Sequence, residues 1–457
     1  MDIRISPCRK LQGRIEVPGD KSVSHRAVML GALSEGITEI SGFLMSADCL
    51  STISCFAKMG VRVDRNDAEK TVTVEGRSLH GLRAPSELLY TGNSGTTTRI
   101  ISGILAGQSF ESTLDGDSSI RRRPMKRIID PLLAMGASVR SEKENGCVPL
   151  RIRGGSLHGI CWRSPVASAQ VKSGILLAGL YADSETSVLE PALSRNHTEL
   201  MLKAFGGNVS SEPLPDPLPE GEKRTDRISS GLSSDTAGGW KITVRPEPRL
   251  TGRKICVPGD ISSAAYFMAA AAIVPGAEVL ISNVGVNPTR NGILKVMRAM
   301  GADISLSDEK LQGFEETASI LVRSSSLHGT VIGGSLIPTL IDELPVCAVL
   351  ACFAEGETVI RDARELRVKE SDRIAVMTEE LNKMGADITP TEDGMIIRGG
   401  RSLHGAEVDA HADHRAAMSL AVAALAAEGV TTIRGAECVG ISYPDFFKDL
   451  DRLRTGC

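Results

Sequence analysis

Residues 17–27 read VPGDKSVSHRA, and residues 257–266 read VPGDISSAAY. Both stretches contain a turn-forming Pro-Gly pair followed by an aspartate, and both lead into a run of small and apolar residues. An aspartate directly after such a turn is a favourable helix N-cap. The sequence therefore predicts the same tight turn and helix start twice, about half the chain apart.

The two copies differ in their cations. Lys21 and Arg26 of the first copy are replaced by Ile261 and Tyr266 in the second. Since the turn and the helix start form without cations, we interpret the two cations as functional. A helix N-terminus with added positive charge suits a phosphate or a carboxylate.

Two further repeats predict the architecture. Helical runs end in a Met-Gly or Phe-Gly pair, and an alternating strand pattern follows each pair; the glycines are Gly60, Gly136, Gly206, Gly301 and Gly385. A glycine placed there closes a helix. With a last helix near 445–453, we predict six α/β units, three in each half, and a ligand site in the cleft between the halves.

The motif SLHG occurs at 78–81, 156–159, 326–329 and 402–405. A loop that recurs with the repeat is a structural device, so we do not expect its histidines to be catalysts. These histidines are His80, His158, His328 and His404. Residues 212–239 are rich in Pro, Ser, Gly and charge, and we expect them to form a mobile surface insertion.

Composition limits the function classes. The 457 residues carry a net charge of −4 and only 3% aromatic residues, which argues against binding to nucleic acid or to a membrane surface. The ten cysteines form no CxxC pair and no zinc-site spacing, so we expect reduced thiols and no metal. The N-terminus carries no signal-peptide pattern, and we expect a cytoplasmic protein.

Three further stretches hold cations or small polar groups. Residues 91–99 (TGNSGTTTR) predict a second helix start, although they lack the Gly-Lys pair of a Walker A loop. Residues 116–127 (GDSSIRRRPMKR) are either a solvated basic face or an arginine clamp for phosphate or carboxylate. Residues 168–170 (SAQ) open a buried helix.

The acids are placed beside cations. Asp342 precedes an apolar helix and is either a helix cap or a general base. Residues 364–373 (RELRVKESDR) are either a solvated charged helix or cations that grip a dianion while Glu370 moves a proton. Arg415, in HADHR at 411–415, is another candidate anion ligand. Together these stretches indicate a small substrate with several negative charges.

In order along the chain, PGDKSVSHRA, TGNSGTTTR, RRRPM, SAQ, IPTLIDELPV, LRVKESDR and DHRAAM resemble the EPSP synthase family, the 3-phosphoshikimate 1-carboxyvinyltransferases. The resemblance covers the chain apart from the insertion. RNHTE at 195–199 and NPTR at 287–290 are similar to its bacterial class II branch.

The resemblance implies the two-domain enolpyruvyl transferase fold, an inside-out α/β barrel in which each domain has three βαβαββ units. The domains would be 20–256, and 1–19 with 257–457, with the active site between them. The reaction would join the enolpyruvyl group of phosphoenolpyruvate to the 5-hydroxyl of shikimate 3-phosphate and release phosphate. No cofactor is implied, and we expect a monomer.

Residue roles also follow from the resemblance alone. It implies that Asp342 is the base, that Glu370 is the acid and that Lys21 contacts both substrates. Shikimate 3-phosphate would contact Lys21, Ser22, Arg26, Ser168, Ala169, Gln170, Asp342 and Lys369. Phosphoenolpyruvate would contact Lys21, Asn93, Gly95, Arg123, Gln170, Arg373 and Arg415.

Two positions bear on the branch and on inhibition. Class I members carry a lysine where this chain has Ile441, so we expect one cation fewer at the phosphoenolpyruvate site. Gly95 keeps the glycine whose extra methyl group excludes glyphosate in some members, so we expect some sensitivity to that inhibitor.

Two alternatives remain at this point. UDP-N-acetylglucosamine enolpyruvyl transferase shares the fold, but it has a reactive cysteine in the arginine loop and an asparagine after the first lysine. Here the loop at 116–127 has no cysteine, and Ser22 follows Lys21. The other alternative, a non-catalytic anion-binding scaffold, does not require both acids.

Overall fold

The structure is a computed structural model that describes residues 1–215 and 239–454. The helices are α1 (Lys21–Ala32), α2 (Ala47–Lys58), α3 (Gly95–Ala106), α4 (Lys126–Ala134), α5 (Ala169–Gly179), α6 (His197–Phe205), α7 (Ile261–Ile273), α8 (Gly292–Ala299), α9 (Ile337–Leu340), α10 (Leu344–Cys352), α11 (Arg373–Lys383), α12 (His414–Ala426) and α13 (Phe446–Leu453).

The strands are β1 (Ile3–Ile5), β2 (Gln12–Glu16), β3 (Ile37–Ser41), β4 (Arg62–Asn66), β5 (Thr71–Glu75), β6 (Leu89–Tyr90), β7 (Glu111–Asp115), β8 (Ser138–Ser141), β9 (Leu150–Arg153), β10 (Cys161–Arg163), β11 (Thr186–Glu190), β12 (Val209–Pro213), β13 (Trp240–Val244), β14 (Lys254–Cys256), β15 (Glu278–Gly285), β16 (Asp303–Gln312), β17 (Glu315–Arg323), β18 (Val331–Ile332), β19 (Glu357–Ile360), β20 (Ile388–Pro390), β21 (Met395–Arg398), β22 (Glu407–Asp409) and β23 (Thr431–Arg434).

These strands form six sheets with one repeated pattern. The four-stranded sheets have the orders β14-β3-β5-β4, β6-β7-β9-β8, β10-β11-β13-β12, β16-β17-β15-β2 and β18-β19-β21-β20, and the sixth is β1-β23-β22. Each four-stranded sheet contains one parallel and two antiparallel pairs. The prediction of six repeated α/β units is confirmed.

The repeated glycines and the SLHG loops fit together. All five predicted glycines have a positive φ, between 85° and 99°, as a helix-closing residue requires. The backbone N–H of His158, His328 and His404 donates to the carbonyl of the methionine before such a glycine, at 2.8–2.9 Å. This contact gives the SLHG loops a structural role.

The two VPGD turns pair with each other. Gly19 and Gly259 form an antiparallel bridge. The N–H of Asp20 donates to the carbonyl of Pro258 at 2.7 Å, and the N–H of Asp260 donates to the carbonyl of Pro18 at 2.9 Å. A Cβ at Gly19 would lie 1.9 Å from the carbonyl oxygen of Gly42, so only glycine fits there.

The buried apolar side chains fall into two clusters. One draws on residues 23–257, and the other draws on residues 5–17 and 261–453. No single helix among the described residues is long and apolar enough to cross a membrane. The segments 334–340 and 344–352 reach that length and composition only as a pair, across a bend of 110°.

The prediction that a surface insertion spans 212–239 was wrong at its N-terminal boundary. Glu212 and Pro213 extend β12 and pair with Lys241 and Trp240 of β13. The ladder continues because the alternating strand pattern runs into the proline-rich stretch before it ends. Residues 216–238 of the insertion lie outside the described part of the chain.

Candidate active site

A cavity of about 460 Å³ lies where the two halves meet. The first half lines it with the start of α1, the start of α3 and the loop before α5, and the second half lines it with the loops before α10 and α11 and the start of α12. The lining includes these predicted residues: Lys21, Ser22, Asn93, Gly95, Arg123, Ser168, Ala169, Gln170, Asp342, Lys369, Glu370 and Arg415.

Three helices of the first half begin at this cavity. The Asp20 carboxylate caps α1 by accepting from the Val23 N–H at 2.8 Å. Ser94 caps α3 in the same way. Ser168 is the N-cap residue of α5 but makes no side-chain cap bond. The free N–H groups of these first turns favour anions.

Lys21 is held by an acid that carries no sequence signal. Its Nζ lies 3.0 Å from Asp48 Oδ2, on α2. Burial alone would lower the pKa of Lys21, but Asp48 and Glu370 raise it above its ordinary value. Lys21 is therefore a full positive charge at the cavity wall.

Arg26 lies behind the cavity wall instead of in it. The residue is 3% exposed. Its Nε donates to Thr198 Oγ1 at 2.6 Å, one Nη donates to Ser173 Oγ at 2.8 Å, and the other donates to the carbonyl of Ser22 at 3.0 Å. Arg26 thus supports Ser22 and the start of α5, and direct contact with a substrate stays a prediction.

Arg373 is also outside the lining and is 1% exposed. Its guanidinium lies 2.8 Å from Asp413, 2.7 Å from Glu370 and 3.4 Å from Asp342. Arg373 therefore fixes both predicted acids relative to α12. Its own contact with phosphoenolpyruvate stays a prediction.

Asp342 is surrounded by cations from both halves. Arg195, on the loop before α6, forms a close ion pair with its Oδ2, while Lys369 lies 3.6 Å and Arg415 3.8 Å from the carboxylate. Burial would raise the pKa of Asp342, but these cations hold it well below its usual range. Asp342 is therefore ionised and able to accept a proton.

Glu370 is likewise ionised. It lies 2.7 Å from Arg373 and 3.4 Å from Arg123, which approaches from the other half. Burial would raise the pKa of Glu370, but Arg373, Arg123 and His414 hold it well below its usual range. The two acids thus start in the same charge state.

The wall opposite Glu370 is built around Gly95. A Cβ there would lie 2.8 Å from Arg99 Nη1, so glycine keeps this guanidinium close to the start of α3. Arg99 also donates to Gln170 Oε1 at 2.6 Å. Arg123 donates to Asn93 Oδ1 at 2.7 Å. The predicted phosphoenolpyruvate residues on this side form one connected wall.

Several lining residues were missed from the sequence. In the sequence analysis, Arg195 indicated only the class II branch, and Asp48 belongs to no recognised motif. Two further lining residues, Arg127 and Glu365, form a two-point ion pair across the cleft, at 2.7 and 2.9 Å. His414 is 1% exposed, and burial lowers its pKa to about 4, so it is neutral. An arginine before the HTE motif is a signal that could have indicated Arg195.

Ile441 closes the 3₁₀ turn Ala436–Ile441 and is outside the cavity lining described for residues 1–215 and 239–454. The lining therefore gains no charge from this position. The expectation of one cation fewer at the phosphoenolpyruvate site stays a prediction.

Taken together, the cavity can hold a small, multiply charged anion. Arg99, Arg127 and Arg195 add to the predicted lysines and arginines, and charges brought together from two halves offset repulsion between anionic groups. The two carboxylates lie beside this cationic wall, and because both are ionised, each can accept a proton there. Binding and proton transfer are thus possible in one cavity.

Comparison with known proteins agrees with this geometry. The EPSP synthase (3-phosphoshikimate 1-carboxyvinyltransferase) family matches residues 5–229 and 229–450. A 3-phosphoshikimate 1-carboxyvinyltransferase from Thermoanaerobacter sp. (strain X514) is 53% identical over 453 residues, which cover 99% of this chain and 100% of the relative.

Solved structures give the same result. An EPSP synthase from Acinetobacter baumannii has a TM-score of 0.83 and 44% identity, covering 99% of this chain and 98% of that one. An enolpyruvyl transferase from Streptomyces tendae, 16% identical with a TM-score of 0.75, covers 98% of this chain and 96% of its own and shares the fold. With family, relatives and structures in agreement, the chain belongs to the EPSP synthase family.

Proposed function

We propose that this cleft transfers the enolpyruvyl group of phosphoenolpyruvate to the 5-hydroxyl of shikimate 3-phosphate and releases phosphate through a tetrahedral intermediate. The observation that carries the proposal is the cavity itself, which joins two ionised acids, Asp342 and Glu370, to cations from both halves. An anion-binding scaffold needs the cations but not the acids.

The charges around the cavity support a placement for each of the two substrates. We assign shikimate 3-phosphate to the side built by α1 and α5, and phosphoenolpyruvate to the side built by α3 and α12. On the first side we place Ser22, Ser168, Ala169 and Lys369, supported by Arg26, and on the second Asn93, Gly95, Arg123 and Arg415, supported by Arg373. Gln170 would contact both substrates. Lys21 lies between them.

The acids then divide the proton transfers. Asp342 takes the proton of the 5-hydroxyl as its oxygen attacks C2 of phosphoenolpyruvate, and Glu370 gives a proton to C3. The intermediate collapses as the phosphate leaves with the proton held by Asp342, and Glu370 takes back a proton from the methyl carbon, which restores the double bond. Lys21 offsets the negative charge that both substrates bring.

Glu370 must gain a proton before it can act as the acid. Its pKa is well below its usual range without substrate, and a bound anion raises the pKa of a nearby carboxyl group. We therefore expect uptake of about one proton when phosphoenolpyruvate binds to the complex with shikimate 3-phosphate. Calorimetry in buffers of different ionisation enthalpy measures this uptake, and Glu370→Gln should abolish it.

The division of the chain into domains is also proposed. The two apolar clusters support one domain of residues 20–256 and another of 1–19 with 257–457. We further propose a cytoplasmic monomer, because each half buries its own core and both halves together enclose the cavity.

A phosphate-release assay with each substrate omitted in turn tests the reaction. Phosphate should appear only with shikimate 3-phosphate and phosphoenolpyruvate together. Release with UDP-N-acetylglucosamine in place of shikimate 3-phosphate would contradict the proposal. Asp342→Ala should retain substrate binding and slow turnover at least about 100-fold, as expected for loss of a general base.

A further inference from the structure

Three charged side chains are buried behind the shikimate 3-phosphate side of the cavity. Lys172 Nζ, on α5, lies 3.0 Å from Glu190 Oε2 at the end of β11 and 2.7 Å from Glu199 Oε1 on α6. Their side chains are 0%, 0% and 3% exposed. The three residues, called here the Lys172 triad, join three elements whose ends meet at the cavity.

Within this triad, Glu190 contacts both of the loops that line the cavity on this side. Its Oε1 accepts the backbone N–H of Ser168 at 3.1 Å. Its two oxygens accept the hydroxyl of Ser194 at 2.8 Å each, and Oε2 accepts the Ser194 N–H at 3.3 Å. One carboxylate therefore connects the loop before α5 with the loop before α6.

Lys172 completes the connection. Besides its two ion pairs, its Nζ donates to the carbonyl of Ser194 at 3.2 Å. Burial would lower the pKa of Lys172, but Glu199 and Glu190 raise it above its ordinary value, so the ammonium group is charged. The cation lies beside the Glu190 carboxylate, which can accept hydrogen bonds from several donors at once.

Stability alone does not account for such a triad. Desolvating three ions costs several kcal/mol per ion, and well-packed apolar residues are often equally stable in their place. Apolar residues, however, cannot accept hydrogen bonds from the N–H and O–H groups of two loops and so cannot hold those loops at a fixed separation. Ser168 and Ser194 both line the cavity on the side assigned to shikimate 3-phosphate.

We infer that Glu190, supported by Lys172, is a positioning residue that sets the separation of Ser168 and Ser194 to fit the phosphate of shikimate 3-phosphate. The inference rests on the proposed placement of that substrate. Glu199 balances the charge of Lys172 and binds neither loop, which makes it a matched control within the same triad.

The test compares Glu190→Gln with Glu199→Gln in the full-length enzyme. Glu190→Gln should raise the KM for shikimate 3-phosphate about 10- to 100-fold, because an amide turns a donor toward groups that need an acceptor. The KM for phosphoenolpyruvate and kcat should stay within about threefold, as should all constants of Glu199→Gln. Equal effects of the two variants, or no effect of Glu190→Gln, would overturn the inference.

Further variants separate the inference from the substrate placement. If Glu190→Gln fails to fold, Glu190→Asp replaces it, because the shorter side chain keeps the charge but moves it away from the loops. The same selective rise in the KM for shikimate 3-phosphate is expected. Ser168→Ala and Ser194→Ala should each raise the KM for shikimate 3-phosphate. If neither does in an enzyme that still releases phosphate, the placement is wrong and the inference falls with it. If they do but the Glu190 variants do not, only the inference is overturned.

Discussion

Lys21 and Ile261 follow the two paired turns at the same position, yet Lys21 faces the cavity and Ile261 is 1% exposed in the core. The same contrast holds one turn further along each helix. Arg26 makes three hydrogen bonds around Ser22, whereas the ring of Tyr266 packs edge-on against Phe446 at 5.8 Å. The same turn and helix start thus place a cation at the cavity in one half and an apolar side chain in the core in the other.

The second turn still has a cation, but it comes from another part of the chain. Arg290, in the NPTR motif, lies 3.2 Å from Asp260, 3.4 Å from Asp20 and 2.7 Å from the Ser262 hydroxyl. It is 3% exposed and touches the N-caps of both helices. Comparison of the two repeats shows that the second lacks Lys21 and Arg26, but it does not show that Arg290 from a distant loop contacts both N-caps.

The largest effect is expected from Arg290→Met. This change leaves the Asp20, Asp260 and Glu343 carboxylates buried without their shared cation, so the free energy of unfolding should fall by about 3–5 kcal/mol. Urea unfolding at pH 7 measures it, with the exposed Arg298→Met as control. A loss below about 1 kcal/mol would show that the paired turns do not depend on Arg290.

The next effect separates chemistry from packing at equivalent positions. Lys21→Met should lower kcat/KM about 10²- to 10³-fold, because it removes a cavity charge that the proposed placement puts between both substrates. Ile261→Met should leave kcat/KM within about threefold, since a volume-conserving core exchange costs less than about 1.5 kcal/mol. Steady-state kinetics and thermal unfolding of both variants check this, and similar losses of activity would remove the distinction.

The two N-caps should respond to pH in opposite directions. Burial and the Asp20 charge raise the pKa of Asp260 to about 6, so its contribution to stability is lost as pH rises through that value. Burial would also raise the pKa of Asp20, but Arg290 and His197 lower it to about 2, so its contribution is lost as pH falls toward that value.

Asparagine at either position keeps the cap and removes the titration. Relative to the parent protein, Asp260→Asn should gain about 2 kcal/mol between pH 4 and pH 7, and Asp20→Asn should lose about 1 kcal/mol between pH 3 and pH 7. Denaturant unfolding across this range measures both differences. If the stability difference from the parent protein changed with pH in the same direction for both variants, the opposite pKa shifts of Asp20 and Asp260 would be contradicted.

The smallest effect is expected from Tyr266→Phe. Within residues 1–215 and 239–454, the buried Tyr266 hydroxyl has no hydrogen-bond partner, so its removal should change the free energy of unfolding by less than about 1 kcal/mol. Thermal unfolding tests this change. A larger loss would mean that the second helix also uses a polar contact at this position.

Much of the fold could be predicted from local patterns, because each repeat ends its helix with the same glycine and returns through the same loop. The stretches that hold the predicted cavity residues came from local signals, namely cations and small polar groups at helix starts, whereas the residue roles came from the resemblance to the EPSP synthase family. Twelve of the predicted site residues line the cavity in the structure.

What could not be predicted depends on contacts between distant segments. Asp48 carries no motif, and its place beside Lys21 depends on how α2 packs against α1. Glu190 ends an ordinary strand, and its role emerges only where β11, α5 and α6 meet. Arg26 and Arg373 are cations, as expected for anion ligands, but tertiary packing places both of them behind the cavity wall.

The hydrogen-bonded pair of turns has a consequence for how the chain can be cut. Because Gly19 and Gly259 are neighbours, the chain leaves and re-enters each half at a single point. The two ends of segment 20–256 therefore lie side by side, as do the two ends at 19 and 257 that it separates, which is the arrangement of an inserted domain. The fold should accept expression as two separate polypeptides, 20–256 and a linked 1–19 with 257–457, that reassemble into one cleft.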